Sequence, residues 1–311
     1  MNKSLLRQEP GRAIFRAIGG IGNQLFVLAA AMAHSKHFGI SFGLDTRRSA
    51  KGKKQGGPHN LPSQLRTLLL NSVPVTKFQV SHMASFALDT IASVESKILH
   101  LATIDRTSSW CHTSQKSGYD EAVFEKRARY FRGYFQSYKY LSYLRETNQD
   151  FSLSLVNPSI EFQEISETLA GAEFTVVHLR RGDYLTSAKN FGTLGIDYYV
   201  RSLKQLQLTS GIKKIIVFSD DDEIHREKRM QELFSDFDSS FLSTSKLDPA
   251  EALLLMSRGS SFVIANSSFS WWAAALSESV DVIYPSVWFR QEQQPLSLAF
   301  PKWIASESSW N

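Results

Sequence analysis

Three short polar clusters in the second half of the chain carry residue types that can hold an anionic ligand. The first is His178-Leu179-Arg180-Arg181-Gly182-Asp183, which closes the apolar run at residues 174–177. The second is Ser219-Asp220-Asp221-Asp222, and the third is Asn266-Ser267-Ser268-Phe269-Ser270. Arginine suits phosphate because its planar guanidinium binds two oxygens at once and stays charged. Strand alternation puts His178 and Arg180 on one face and Arg181 on the other. His178 and Arg180 can then address one ligand, while Arg181 pairs with Asp183 or a neighbouring loop. The alternatives are an ion pair at a loop edge for Arg180 and a satisfied core histidine for His178. Ser267 and Ser268 precede a helical stretch, where serine either caps the helix or lies beside N–H groups and a positive dipole end that hold phosphate. Asp220 can accept from the N1–H and exocyclic amine of a guanine, helix capping being its other reading.

A fourth cluster, Gly19-Gly20-Ile21-Gly22-Asn23, follows a strand candidate at residues 13–18. It lacks the full dinucleotide fingerprint and the acid that should follow it. Glycines there let the backbone approach a ligand, and Asn23 at a helix start can touch a phosphate or sugar. A tight strand-to-helix turn is the plainer alternative. No Cys/His or paired-carboxylate spacing points to a metal, so no metal or other cofactor is expected. The single cysteine, Cys111, excludes an intrachain disulfide.

These clusters need strands that deliver them. Apolar residues at helical spacing over residues 23–38, stopped by Gly39, predict a helix between strands at 13–18 and 40–44. That makes one βαβ unit. Residues 46–63 shift to Lys, Gly, Gln and Pro and read as an exposed loop. Aromatics crowd residues 130–143, which reads as core packing. Beyond a boundary near Asn157-Pro158, strands at 174–179, 214–218, near Phe241, 262–265 and 282–284 alternate with helices at 198–208, 223–233, 248 onward and 269–276. The helix opened by Asp248-Pro249-Ala250-Glu251 has an Asp cap, Pro at its first position and Glu at its third. Such alternation predicts an α/β protein with parallel sheets. The domains expected are residues 1–157 and 158–311. Ligands in such sheets gather at the carboxyl ends of strands, where all three clusters of the second half fall.

At 42% hydrophobic and 21% charged, the composition is that of a globular chain. A net charge of +5 suits an anionic ligand or a peripheral contact with an anionic membrane surface, and falls short of a nucleic-acid footprint. Residues 1–11 lack the apolar region of a signal peptide, and residues 25–33 are too few to span a bilayer. A cytoplasmic protein, at most at the inner face of the membrane, is expected. The Arg181-Gly182-Asp183 tripeptide offers a competing reading as an adhesion ligand. That role needs an exposed loop tip and an extracellular address.

Taken in order, the motifs resemble glycosyltransferase family 11, the α-1,2-fucosyltransferases. Residues 19–26 (GGIGNQLF), 133–137 (GYFQS), 178–184 (HLRRGDY), 218–221 (FSDD), 266–272 (NSSFSWW) and Tyr284-Pro285 carry the likeness. Residues 46–126 match no motif. The resemblance implies a GT-B fold, two Rossmann-like domains facing across a cleft. The C-terminal domain would bind GDP-β-L-fucose and the N-terminal domain the acceptor. It implies that His178 and Asp220 contact guanine and that Arg180 holds the β-phosphate. Ser267, Ser268 and Phe269 would line the diphosphate, with Asn23 reaching the donor across the cleft. The implied reaction is inverting and metal-independent. It transfers L-fucose to the 2-hydroxyl of a terminal galactose, on an oligosaccharide or a lipid-linked glycan of surface-polysaccharide assembly. Arg180 would stabilise the departing diphosphate. Asp183 is the candidate base, with orientation of an arginine as its other reading.

Overall fold

A computed structural model describes residues 11–46, 64–80, 87, 90–91, 110–181, 192–279 and 281–311. The chain forms two compact units, Met1–Leu153 with Pro295–Leu298, and Ser154–Gln294 with Ala299–Asn311. Each is built on a parallel sheet, so the α/β class read from the sequence holds.

In the first unit β1 (Ala13–Arg16), α1 (Ile21–Phe38) and β2 (Phe42–Asp45) form the expected βαβ unit. Nearly every residue of α1 from Ile21 to His34 is buried, as its all-round apolar sequence requires. Gly39 ends it in the left-handed region (φ 64°), its N–H donating to Ser35 O. Two strands paired antiparallel follow, β3 (Leu68–Leu70) and β4 (Val73–Pro74), part of a three-stranded sheet. Then come β5 (Cys111–Thr113), α2 (Ala122–Glu125), β6 (Tyr130–Arg132) and α3 (Tyr138–Glu146). The sheet order is β2-β1-β6-β5. The crowded aromatics are core, as expected: Tyr130, Phe131, Phe135 and Tyr140 are all fully buried. Tyr130 keeps its hydroxyl satisfied by donating to Asp45 Oδ2 at 2.7 Å.

The short segment Pro295–Leu298 returns to this unit from far along the chain. Leu296 O accepts from Tyr119 N and Ser297 O from Tyr138 N, each at 3.0 Å. Ser137, the N-cap of α3, donates its hydroxyl to Ser297 O at 2.8 Å.

The strand β7 (Leu153–Leu155) runs across the change of unit, and α4 (Ile160–Thr168) opens the second. Next come β8 (Thr175–Leu179), α5 (Ile196–Thr209), β9 (Ile215–Ser219), α6 (Lys228–Phe234) and β10 (Ser239–Ser243). They are followed by α7 (Pro249–Met256), β11 (Ser261–Val263), α8 (Ser268–Ser277), β12 (Val282–Pro285) and β13 (Ile304–Ser306). The sheet order is β10-β9-β8-β11-β12-β13. Both faces of β8 are buried, which is why it reads as a continuous apolar run. Val177 and Leu179 pack with Tyr198, Tyr199 and Leu203 of α5. The helix α7 carries the capping box its sequence announced, and Glu251 also accepts from Ser159 N at 2.6 Å, pinning the start of α4.

One expectation fails. Residues 223–233 were expected as a single helix, but a 3₁₀ turn (Ile224–Arg226) and α6 are separated at Glu227. Glu227 is extended (φ −68°, ψ 121°), and its carboxylate accepts from the Arg181 guanidinium. A long-range ion pair thus overrides local helix propensity there. Among the described residues no helix is long and apolar enough to cross a membrane.

Candidate nucleotide-sugar site

From β8 the second sheet grows outward through β9 and β10 on one side and through β11, β12 and β13 on the other. The order therefore reverses between β8 and β11. In open α/β sheets the crevice beyond the carboxyl ends of such a strand pair is where ligands bind. The loops leaving those ends begin with His178-Leu179-Arg180-Arg181 and with Asn266-Ser267-Ser268. Two of the three polar clusters thus flank one crevice, and the third follows β9, the other neighbour of β8.

His178 is 2% exposed and its ring lies 5.8 Å from that of Phe269 on α8. Burial, reinforced by the nearby Arg180 charge and opposed by Asp220, holds its pKa well below the ordinary imidazole range. A neutral ring results. Its backbone oxygen accepts from Tyr199 Oη at 3.2 Å, which ties the strand end to α5. Among the described residues His178 Nδ1 is buried without a hydrogen-bond partner. Such an orphan in a native protein calls for an explanation, and a ligand is one.

Arg180 Nη1 donates to Asp220 Oδ2 at 2.7 Å, both side chains being about a quarter exposed or less (24% and 20%). Asp220 Oδ1 accepts from Arg181 N at 2.9 Å. One carboxylate thus holds both the guanidinium of Arg180 and the backbone that follows it. Arg181 turns away, pairing with Glu227 and lying 3.8 Å from Asp221 Oδ2. The two arginines are unlike, as strand alternation requires: Arg181 anchors its loop. An arginine tied in this way suits no adhesive loop tip. Asp221 caps the 3₁₀ turn through Glu223 N at 3.0 Å, and Asp222 accepts from Ser243 at the end of β10 and from Ser245 just after it. These hydrogen bonds with Ser243 and Ser245 lower the Asp222 pKa.

Ser267 is the N-cap of α8, its hydroxyl accepting from Phe269 N at 3.3 Å. Ser268 is the first helical residue, and both it and Phe269 are half-buried. The first-turn N–H groups of a helix have no partners within the helix, so its positive end is an anion site in waiting. Trp271 and Trp272 are core: Trp271 packs on Phe300 and Trp303 at ring distances of 5.6 and 5.4 Å.

The structure thus brings His178, Arg180, Asp220, Ser267, Ser268 and Phe269 to neighbouring strand ends of one unit. Asn23 belongs to the first unit, as the third residue of α1. Asp183 lies outside the described residues. Sequence reasoning missed Glu227 and Tyr199, which hold the cluster from α6 and α5. It also passed over Gln136, whose Nε2 donates to Asn23 Oδ1 at 2.7 Å. The only sequence signal for Gln136 is its place in the 133–137 motif.

The profile of glycosyl transferase family 11 matches residues 112–305. The chain belongs to this family and is a glycosyltransferase. It is 28% identical to an α-1,2-colitosyltransferase of Escherichia coli over 306 residues, 94% of this chain and 98% of that protein. It is also 31% identical over 168 residues to the O-antigen biosynthesis glycosyltransferase WbnK of Escherichia coli, 52% of this chain and 53% of that protein. Among solved structures, the apo form of POFUT1 aligns with a TM-score of 0.49 at 13% identity, covering 90% of this chain and 99% of that one.

Proposed function

We propose that the chain transfers L-fucose from GDP-β-L-fucose to the 2-hydroxyl of a terminal galactose, with inversion at the anomeric carbon. The observation that carries this reading is the convergence of His178, Arg180, Asp220 and the N-terminus of α8 at the reversal of strand order. Guanine is read by Asp220, with the neutral His178 ring as a second contact through its orphaned nitrogen. Arg180, whose planar fork carries five N–H donors and is held in place by Asp220, reaches the β-phosphate. Ser267, Ser268 and Phe269 line the diphosphate at the positive end of α8. The first unit supplies Asn23 and the acceptor side.

The chemistry follows from those contacts. The bond between the anomeric carbon and the diphosphate oxygen breaks, its electron pair staying on GDP. The ring carbon gains oxocarbenium character, and the galactose 2-hydroxyl attacks from the opposite face. Its proton passes to a base, for which Asp183 is the candidate. Arg180 and the α8 amides meet the charge growing on the β-phosphate, in place of a metal ion. The acceptor is a galactose-terminated oligosaccharide or lipid-linked glycan, as the O-antigen role named for the WbnK relative suggests. The +5 charge permits work at the cytoplasmic face of an anionic membrane.

A second reading is favoured by the full-length likeness to an α-1,2-colitosyltransferase. Colitose is L-fucose without the 3-hydroxyl, so the same site can take its GDP-activated form while keeping the linkage. Incubation with lactose and either GDP-fucose or GDP-colitose, followed by detection of GDP and trisaccharide, decides between them. Arg180→Ala is expected to slow turnover by about a hundredfold or more. Unchanged turnover would remove Arg180 from the donor site, and no product with either donor would refute both readings.

A further inference from the structure

The first unit has a reversal of its own. From β1 the chain passes through α1 to β2 on one side, whereas β6 pairs with β1 on the other. Ile14 faces Tyr130 and Phe15 faces Phe131, so β1 and β6 end level with one another. The loops leaving these ends hold Gly19-Gly20 and Gly133-Tyr134-Phe135-Gln136. A side-chain contact joins them: Gln136 Nε2 donates to Asn23 Oδ1 at 2.7 Å.

Three independent features surround that contact, two of them locally costly and the third one that only glycine allows. Gln136 is 6% exposed, and among the described residues its Oε1 is buried without a partner. Phe135, fully buried, takes a left-handed backbone (φ 53°), uncommon for an aromatic residue. Gly19 has φ 79°, and a Cβ there would lie 2.6 Å from Asn23 Nδ2. Gln136 N donates to Ser117 O at 2.9 Å and Gln24 Nε2 to Gly19 O at 2.8 Å, so both loops are held. Local costs that cluster in this way mark a site whose geometry is worth more than its stability.

We propose that Gln136 is a positioning residue that fixes which end of the Asn23 side chain meets substrate. By occupying Oδ1 it commits Asn23 to presenting its Nδ2–H donors beside the N-terminus of α1, to an oxygen of the sugar nucleotide or its acceptor. The role rests on the reading that Asn23 touches substrate. Gly19 completes the arrangement, since only a residue without Cβ lets the Asn23 amide lie over the turn.

The test compares Asn23→Ala, Gln136→Leu, the double variant and Gln136→Glu with GDP-fucose and lactose. Gln136→Leu is expected to lower kcat/KM about tenfold to a hundredfold through misplacement of one contact. The double variant should fall no further than Asn23→Ala, because the two act as a unit. Gln136→Glu should be impaired at neutral pH, where its carboxylate repels Asn23 Oδ1 and flips the amide. Relative to wild type it should recover as pH falls and the protonated carboxyl donates in place of Nε2–H. A purely structural role would show multiplicative losses and no acid recovery, and either result overturns the proposal. Full activity of Asn23→Ala would refute its substrate contact and, with it, the positioning role. Side-chain amide exchange by NMR reports independently of the donor. The Gln136 Nε2 protons should exchange slowly in the wild type and fast in Asn23→Ala, and fast exchange in the wild type would rule out the pair.

Discussion

Asp220→Asn separates the two duties assigned to that carboxylate. In the native protein Oδ2 accepts from Arg180 Nη1 at 2.7 Å and Oδ1 from Arg181 N at 2.9 Å. Asparagine keeps one acceptor and turns an NH₂ group towards one of the two donors. Hydrogen bonds to charged groups contribute about 1.5–3 kcal/mol. With side chains 24% and 20% exposed, the lower end applies. About 1.5 kcal/mol is tenfold in affinity. A lost guanine contact adds roughly 1 kcal/mol more. The dissociation constant for GDP, by calorimetry, should therefore rise about tenfold to hundredfold in total. Guanosine and pyrophosphate split the effect. Weaker guanosine binding reports the base contact, and weaker pyrophosphate binding reports the loosened Arg180. An unchanged affinity for all three ligands would refute both duties at once.

Other perturbations probe the scaffold. His34 is fully buried in α1, its Nδ1 donating to Val123 O at 2.7 Å, and burial lowers its pKa from 6.5 to about 4. A depressed folded-state value means that stability present above pH 6.5 is lost as pH falls towards 4. Between pH 7 and pH 5 the loss from this residue is about 2 kcal/mol. Urea unfolding of His34→Gln should show a correspondingly flatter pH dependence than wild type. Gly19→Ala, at φ 79°, should cost about 1–2 kcal/mol in backbone strain. Because its Cβ displaces the Asn23 amide, kcat/KM should fall even at temperatures where circular dichroism shows the variant folded. Glu251→Ala removes the acceptor of both Ser159 N and Asp248 N from a side 5% exposed. Both bonds are only part-buried, so losing them should cost about 1–2 kcal/mol in total, read as a lower thermal midpoint.

The sequence made the strands and helices of the second unit legible because local signals and the fold agree there. Its central strands are dominated by buried apolar residues, and the α7 start carries every capping residue. The site clusters were legible as strand ends for the same reason. What local pattern could not carry is partnership across the sheet. Arg180 meets Asp220 only because β9 pairs with β8. The break at Glu227 depends on Arg181, 46 residues away. Gln136 and Asn23 are 113 residues apart and are joined only by the adjacency of β1 and β6. The membership of Pro295–Leu298 in the first unit had no motif at all, because it rests mainly on backbone groups that any residue provides.

That small returning segment bears on the order in which the protein is made. The chain passes between the units at 153–154, 294–295 and 298–299. Tyr119 N and Tyr138 N find their acceptors on Leu296 and Ser297, and Gly118 packs so closely on Leu296 N that a Cβ would lie 2.2 Å away. Domains synthesised first generally fold first. Here the earlier unit waits for the ribosome to deliver most of the later one before its last hydrogen bonds can close. A fragment ending at 153 would lack them permanently.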